Sequence, residues 1–113
     1  MDCIFCKIAA GQIKADVVFQ DERVMAFRDV SPKAPVHILI IPKKHIERIS
    51  AVTEADFILI GDLHRAIQRV AIKENVSDSG FRIITNNGKD AGQTVNHLHY
   101  HLLGGRSMSW QPV

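Results

Sequence analysis

The segment HLHYHLL at residues 97–103 constrains the fold more than any other part of the chain. Successive side chains of a β-strand point to opposite faces of a sheet, so a strand here would place His97, His99 and His101 on one face and the apolar side chains on the other. A helix would distribute the same histidines around its axis. The alternation therefore predicts a strand that carries three imidazoles in a row.

The first half of the chain predicts a short helix and three strands. Residues 3–12, CIFCKIAAGQ, predict a helix that ends at Gly11. Residues 17–29 predict two strands joined by a polar DER turn, and residues 36–42, VHILIIP, predict a third strand that ends at Pro42.

The second half predicts a long helix and two more strands. The sequence TEAD is typical of a helix start, with Thr53 as N-cap and Asp56 in the place usually taken by Glu or Gln. Apolar residues then recur at spacings of three and four, which predicts a helix over residues 53–75. Residues 80–86 predict a fourth strand, and a polar loop connects it to the histidine strand. This order of elements predicts an α+β fold with a mostly antiparallel five-stranded sheet.

Length and charge limit the classes of function. A chain of 113 residues with 46% hydrophobic residues predicts a single domain over residues 1–113. Its 14 Lys and Arg against 12 Asp and Glu give a net charge of +2, too small for binding polymeric nucleic acid through phosphate neutralisation. A small phosphorylated ligand is compatible with this charge. No apolar run is long enough to span a membrane and the N-terminus lacks the apolar core of a signal peptide, so we expect a cytoplasmic protein without a membrane partner.

The two cysteines, Cys3 and Cys6, form one C-x-x-C pair. In a reducing compartment such a pair favours metal binding or redox chemistry over a structural disulfide. Two buried small side chains would give the same pattern, and no thioredoxin-like βαβ pattern accompanies it. The pair alone is therefore compatible with half of a zinc site, with redox chemistry and with simple packing.

The histidine row, taken alone, is compatible with three explanations. The histidines could be solvated residues on a strand whose other face is apolar. They could bind a metal ion, but same-face residues lie about 6.6 to 6.8 Å apart and the outer pair about 13 Å apart, so one ion accounts for two of them at most. One neutral imidazole could instead act as a nucleophile while its neighbours orient it, bind anionic oxygens and protonate a leaving group.

The segment HLHYHLL matches the His-φ-His-φ-His-φ-φ signature of the histidine triad superfamily, in which φ is an apolar residue. The similarity extends through AFRDVSPKAPVHILIIPKKHI, NNGKDAGQT and LLGGRSMSW, in the same order. These blocks resemble the Hint branch, which consists of small nucleotide-binding phosphoramidases. The resemblance implies the histidine triad fold and a two-fold homodimer whose sheets join across the interface.

The resemblance also implies separate roles for three histidines. His99 corresponds to the nucleophile that attacks the α-phosphorus of a nucleoside 5′-phosphoramidate, giving a nucleotidyl-histidine that water hydrolyses. His101 corresponds to a residue that contacts the phosphate and protonates the departing amine. His37 is similar to the fourth histidine of family active sites, which supports the phosphate pocket.

A further set of residues is similar to the family's nucleotide-binding positions. Asp29 resembles the acidic residue that accepts hydrogen bonds from the ribose hydroxyls, and Asn86 resembles the asparagine on the phosphate or ribose side. In the polar loop, Gly92 would let the backbone approach the ligand. Gln93 and Thr94 would offer an amide and a hydroxyl to the phosphoryl oxygens, although family members commonly have Ser in place of Thr94. The base pocket corresponds to four apolar residues, Phe5, Ile8, Phe27 and Val30.

Simpler explanations exist for part of this set. Ordinary core packing would account for Phe5, Ile8 and Phe27. A turn before Pro32 would account for Asp29.

Some histidine triad proteins bind structural zinc through a cysteine pair, the histidine of a PKxHI segment and the first histidine of the triad. The corresponding residues here are Cys3, Cys6, His45 and His97. A Cys2His2 set closes a tetrahedral shell, so the ion would be structural and would tie the N-terminus to the catalytic strand. The resemblance implies no organic cofactor.

Together, the residues and the resemblance predict a purine nucleoside phosphoramidase that acts on adenosine or guanosine 5′-monophosphoramidates. Two alternatives stay open: a dinucleoside polyphosphate hydrolase, which uses a similar motif, and a nucleotide-binding or zinc-binding interaction module whose hydrolysis is incidental. Trp110 resembles a residue that lies near the partner's active site in family dimers. The tail, residues 107–113, is therefore expected to influence which amine is accepted.

Overall fold

A five-stranded antiparallel sheet forms the centre of the computed structural model, which describes residues 3–110; residues 111–113 of the tail lie outside the described residues, as do residues 1–2. The strands are β1 (Val17–Gln20), β2 (Val24–Arg28), β3 (Val36–Pro42), β4 (Phe81–Ile84) and β5 (Tyr100–Gly104). Their order across the sheet is β1-β2-β3-β5-β4, and each neighbouring pair is antiparallel. The predicted α+β fold is confirmed.

Two helices pack against this sheet, α1 (Ile4–Ala9) and α2 (Phe57–Lys73). The predicted capping box between Thr53 and Asp56 is present, and the first turn it begins, Glu54–Asp56, is a 3-10 turn that leads into α2. Both predicted helices are therefore confirmed, with shorter α-helical bounds. Within residues 3–110, the helices are too short or too polar to cross a membrane.

The two faces of the sheet carry different layers. Helix α2 covers one face, where its apolar stripe packs over Ile38 and Ile40 of β3 and over Leu102 of β5. Helix α1 covers part of the other face, where a smaller cluster forms from Phe5, Ile8, Met25, Phe27, Leu39 and Ile41. Because side chains alternate along a strand, His37 of β3 and His101 of β5 fall on the α1 side.

The histidine segment departs from the prediction, because β5 begins at Tyr100 rather than at residue 97. Its partner β3 ends in Pro42, which has no N–H for the ladder. The Pro42 carbonyl accepts a hydrogen bond from Nε2 of His97 instead, at 2.8 Å. The expectation of three histidines within one strand is therefore wrong: of the three, His101 alone lies in β5, and His99 lies just before it.

Candidate active site

Four potential metal ligands from three segments meet beside α1. The N-terminal segment supplies Cys3 and Cys6, the loop after β3 supplies His45, and the segment before β5 supplies His97. Sulfur-to-Nδ1 distances are 3.3 Å for Cys3–His97, 3.3 Å for Cys6–His45 and 3.6 Å for Cys6–His97. The two Nδ1 atoms lie 3.2 Å apart, and all four ligand atoms lie within 4.8 Å of one another. We call these four residues the metal-ligand cluster.

The geometry of the metal-ligand cluster fits a tetrahedral ion. Zinc bonds of about 2.3 Å to sulfur and about 2.0 to 2.1 Å to nitrogen require ligand atoms about 3.3 to 3.8 Å apart. Nε2 of His97 donates to the Pro42 carbonyl, so the neutral ring has its lone pair on Nδ1, facing the cluster. Burial lowers the pKa of His97, which favours this neutral form. Burial and the adjacent Cys3 raise the pKa of the Cys6 thiol, so a pair of thiolates here needs a compensating cation.

His99 is held in one tautomer by the main chain. Its Nδ1 donates to the backbone carbonyl of His97 at 2.7 Å, which leaves the lone pair of the neutral ring on Nε2. The Thr85 hydroxyl donates to the backbone carbonyl of His99 at 2.9 Å. The ring packs between Phe5 and His101, with ring centroids 5.1 Å and 5.2 Å away. In the neutral ring, Nε2 is therefore the oriented nitrogen that keeps a lone pair.

A second chain of hydrogen bonds fixes His37 and His101. The backbone N–H of Lys33 donates to Nδ1 of His37 at 3.0 Å, so the proton of neutral His37 lies on Nε2. This Nε2 lies 2.9 Å from Nδ1 of His101 and donates to it. The proton of neutral His101 must then lie on its own Nε2, where it is available to a ligand.

This chain also argues against a metal ion at the second group of potential ligands, Asp29, His37 and His101, whose ligand atoms likewise lie within 4.8 Å of one another. Nε2 of His37 carries a proton and so offers no lone pair to an ion. The nearer carboxylate oxygen of Asp29 is 3.5 Å from that nitrogen, and its other oxygen accepts from the backbone N–H of Ser31 at 2.7 Å. The three residues are a hydrogen-bonded network.

Both histidines of the network are neutral at pH 7. Burial, together with the nearby His99 and His37, lowers the pKa of His101 to about 4. Burial also lowers the pKa of His37. The tautomers derived from the hydrogen bonds are therefore the forms present near neutral pH.

Two adjoining cavities lie beside these histidines. The larger, here called the apolar pocket, has a volume of about 510 Å³ and includes Phe5, Ile8, Phe27, Asp29 and Val30 in its lining. Val30 is 98% exposed, which places it at the rim. The smaller, here called the polar cleft, has a volume of about 220 Å³ and is lined by Asp29, Lys33, His37, Ile84, Asn86, His101 and Leu103. Asp29 lines both cavities, so it lies at the boundary between them.

The side chain of Gln93 holds the loop before β5 through three hydrogen bonds. Its Oε1 accepts from the N–H of Gly88 at 2.8 Å, and its Nε2 donates to the carbonyls of Glu47 and Val95 at 2.7 and 2.9 Å. The amide thus holds the loop, and its predicted contact with phosphoryl oxygens stays a prediction. Sequence reasoning had no signal for this, since a ligand-binding amide and a loop-holding amide look alike.

The neighbouring loop residues also lie away from the polar cleft. Thr94 is exposed and lines a separate cavity of about 360 Å³ beside Cys3 and His45. Gly92 is exposed and adopts a φ of +80°, the left-handed conformation that glycine favours. Their contacts with a ligand stay predictions.

Three residues that sequence reasoning missed act on the histidines: Lys33 through its backbone N–H, Pro42 through its carbonyl and Thr85 through its hydroxyl. Main-chain groups are present at every position, so the sequence carries no signal for the first two.

Fold and site together define an α+β protein with a histidine-based polar site next to an apolar pocket. The family model of the HIT domain matches residues 10–108. An uncharacterized HIT-like protein of Synechocystis sp. is 48% identical over 111 residues, which cover 98% of this chain and 96% of that protein. The chain belongs to the histidine triad (HIT) family.

Solved structures agree with this assignment. The crystal structure of a HIT family hydrolase from Legionella pneumophila Philadelphia 1 superposes with a TM-score of 0.96 at 47% identity, covering 99% of this chain and 100% of that chain. The crystal structure of a histidine triad nucleotide-binding protein from Candida albicans gives a TM-score of 0.83 at 27% identity, covering 99% of this chain and 85% of that chain.

Proposed function

We propose that this chain hydrolyses purine nucleoside 5′-phosphoramidates through a nucleotidyl-histidine intermediate. The observation that carries the proposal is the hydrogen bond from Nδ1 of His99 to the His97 carbonyl, because in the neutral imidazole it leaves the lone pair on an oriented Nε2. Two relatives support it: the Legionella protein is named a hydrolase, and the Candida protein is named nucleotide-binding.

The reaction has two steps. Nε2 of His99 attacks the α-phosphorus, and the phosphorus–nitrogen bond to the amine breaks as the new bond forms. Nε2–H of His101 donates a hydrogen bond to a phosphoryl oxygen. The bound phosphate anion raises the pKa of His101, and the ring, once it carries a second proton, transfers its Nε2 proton to the departing amine. Water then displaces the nucleotide from His99 and gives one proton to His101, which releases a nucleoside monophosphate and restores both imidazoles.

The cavities suit the parts of such a substrate. The apolar pocket would take the purine between Phe5, Ile8 and Phe27, with Val30 at its rim. Asp29, at the boundary, would accept hydrogen bonds from the ribose hydroxyls. Asn86 and His101 in the polar cleft would face the phosphate side.

We also propose that the metal-ligand cluster holds zinc. The donor set, two thiols and two imidazole Nδ1 atoms at tetrahedral spacing, is the chemistry that zinc prefers. Four protein ligands leave no open coordination position, so the bound ion supplies a structural cross-link and no reaction chemistry. It would join α1, the loop after β3 and the segment before β5.

We propose, further, that the active unit is a homodimer joined through β4. This strand is at an edge of the sheet, with Phe81 and Ile83 each 36% exposed, and Trp110 is 93% exposed. Sedimentation of the purified protein should give a dimer, and Ile83→Lys should shift it toward monomer. A monomeric wild type would contradict this proposal.

Turnover of adenosine 5′-phosphoramidate, compared with that of a diadenosine polyphosphate, tests the function. We expect faster hydrolysis of the phosphoramidate, with release of AMP and ammonia. Faster hydrolysis of the dinucleotide would favour a polyphosphate hydrolase. Tight AMP binding without product from either compound would indicate a binding module instead.

A further inference from the structure

Helix α1 and the cysteine that precedes it contribute residues to two sites. Cys3 and Cys6 belong to the metal-ligand cluster, whereas Ile4, Phe5 and Ile8 line the apolar pocket. A helix this short is not stable by itself, so its position depends on the groups that hold it. The metal-ligand cluster and the wall of the pocket therefore depend on the position of the same short helix.

Phe5 lies between the two cysteines and contacts both sites. Its side chain is buried and its ring packs edge-on against three others. The ring centroids are 5.1 Å away for His99, 5.9 Å for His97 and 5.6 Å for Phe27, at interplanar angles of 81°, 78° and 70°. One ring thus touches the proposed nucleophile, a member of the metal-ligand cluster and a wall of the pocket.

His99 needs such a contact. The hydrogen bond from its Nδ1 holds one atom of the ring. The packing of Phe5 on one side and His101 on the other restricts rotation of the His99 ring about the axis of that hydrogen bond. Because Phe5 is carried by α1, ordering of Cys3 and Cys6 around an ion would also order the ring that packs against His99.

We propose that Phe5 is a positioning residue that couples the metal-ligand cluster to the nucleotide site, so that metal binding tightens nucleotide binding and holds the His99 ring for attack. The inference rests on the proposed function for its choice of nucleotide. If Phe5 were only a wall of the pocket, its replacement would not change how strongly nucleotide affinity depends on the metal.

Calorimetry with AMP tests the coupling on wild type and variants, each zinc-loaded and chelator-stripped. We expect zinc-loaded wild type to bind AMP about 5-fold or more tightly than stripped protein, which is the lower end of ordinary coupling between sites. By reciprocity, AMP should raise zinc affinity by the same factor in a chelator competition. In Phe5→Leu the ratio should fall close to one while the zinc content stays at the wild-type level.

Phe19→Leu is the matched control, because Phe19 packs against the core on the α2 side. It should lower stability and keep the wild-type ratio. A ratio of one in wild type, or an undiminished ratio in Phe5→Leu, would overturn the proposal.

Single-turnover kinetics with fully zinc-loaded protein gives a second measurement that does not depend on the stripped form being folded. At saturating phosphoramidate, Phe5→Leu should slow formation of the adduct on His99, whereas Phe19→Leu, on the α2 side of the sheet, should leave that rate near wild type. Equal rates in both variants would contradict a positioning role. Absence of any adduct in wild type would count against the proposed function, while the AMP and zinc linkage would still be measurable.

Discussion

Nδ1 of His99 lies 2.7 Å from the backbone oxygen of His97, so the residue that orients the proposed nucleophile also belongs to the metal-ligand cluster. Main-chain groups also orient two other imidazoles of the site. The carbonyl of Pro42 fixes the tautomer of His97, and the N–H of Lys33 fixes that of His37. Main-chain groups thus determine which nitrogen of His97, His99 and His37 carries the proton of the neutral ring.

Substitution of His99 separates chemistry from binding. We expect His99→Ala to lower turnover by about 10⁴-fold or more, because the lost group forms the covalent bond. AMP binding should stay near wild type, because Asp29, Asn86 and the apolar pocket are unchanged. Rapid quench of wild type with labelled substrate should trap a nucleotidyl adduct that is absent from the variant. An adduct mapped to His97 or His101, or full activity of the variant, would contradict the assignment.

Loss of His101 should lower turnover less than loss of His99, and the size of the effect should depend on the leaving amine. We expect His101→Ala to lower turnover by about 10² to 10³-fold, within the range of general acid catalysis, and more for strongly basic leaving amines, which need a proton most. The measurement is a series of phosphoramidates with amines of graded basicity. His64→Ala, at an exposed position of α2, is the control. A uniform loss across the series would indicate that His101 only contacts the phosphate.

Because His101 is buried in its neutral form, the stability of the protein should depend on pH. Burial and the facing His99 and His37 lower its pKa to about 4, with Asp29 and Lys33 as the other charged groups nearby. An unfolded histidine titrates near pH ~6.5, so between these values the unfolded chain binds a proton that the folded chain excludes. The contribution of His101 to the free energy of unfolding should therefore be fully present above about pH 6.5. It should decrease as the pH drops toward about 4, by at most about 1.4 kcal/mol per pH unit.

Urea unfolding between about pH 7.5 and about pH 4.5 measures this dependence. His101→Gln keeps an acceptor for His37 and removes the titrating group, so its stability should fall less steeply with decreasing pH. Both proteins carry the same metal-ligand cluster, and acid release of zinc therefore affects them alike. Parallel curves would show that His101 is not the source of the slope.

The sequence predicted those features that depend on local patterns. The bounds of β3 agree with the prediction, because a run of apolar residues ends at Pro42. The capping box at Thr53 agrees as well. The start of β5 was missed because it depends on Pro42, a residue of the neighbouring strand that is distant in sequence. The hydrogen bonds by which Gln93 holds its loop were not predicted for the same kind of reason, since the carbonyl of Glu47 that its amide contacts is reached only in the folded chain.

The metal-ligand cluster gives the last prediction. Elemental analysis should find about one zinc per chain, because four protein ligands form one site and the Asp29, His37 and His101 network offers no second. Cys3→Ser should lose the ion and lower the melting temperature by about 5 °C or more, since loss of a structural ion costs more than about 1 kcal/mol. Activity should also decline, because the segment before β5 becomes less ordered when the ion is lost.

Ala9→Ser is the matched control, because Ala9 packs against the same small core as Cys3 and the substitution adds a hydroxyl without removing a ligand. A chelator should lower the melting temperature of wild type and Ala9→Ser by similar amounts and leave Cys3→Ser unchanged. Protein that is free of metal and equally stable with or without zinc would refute the zinc site. Two zinc ions per chain would instead show that Nε2 of His37 can give up its proton to an ion, which the hydrogen bond from Lys33 opposes.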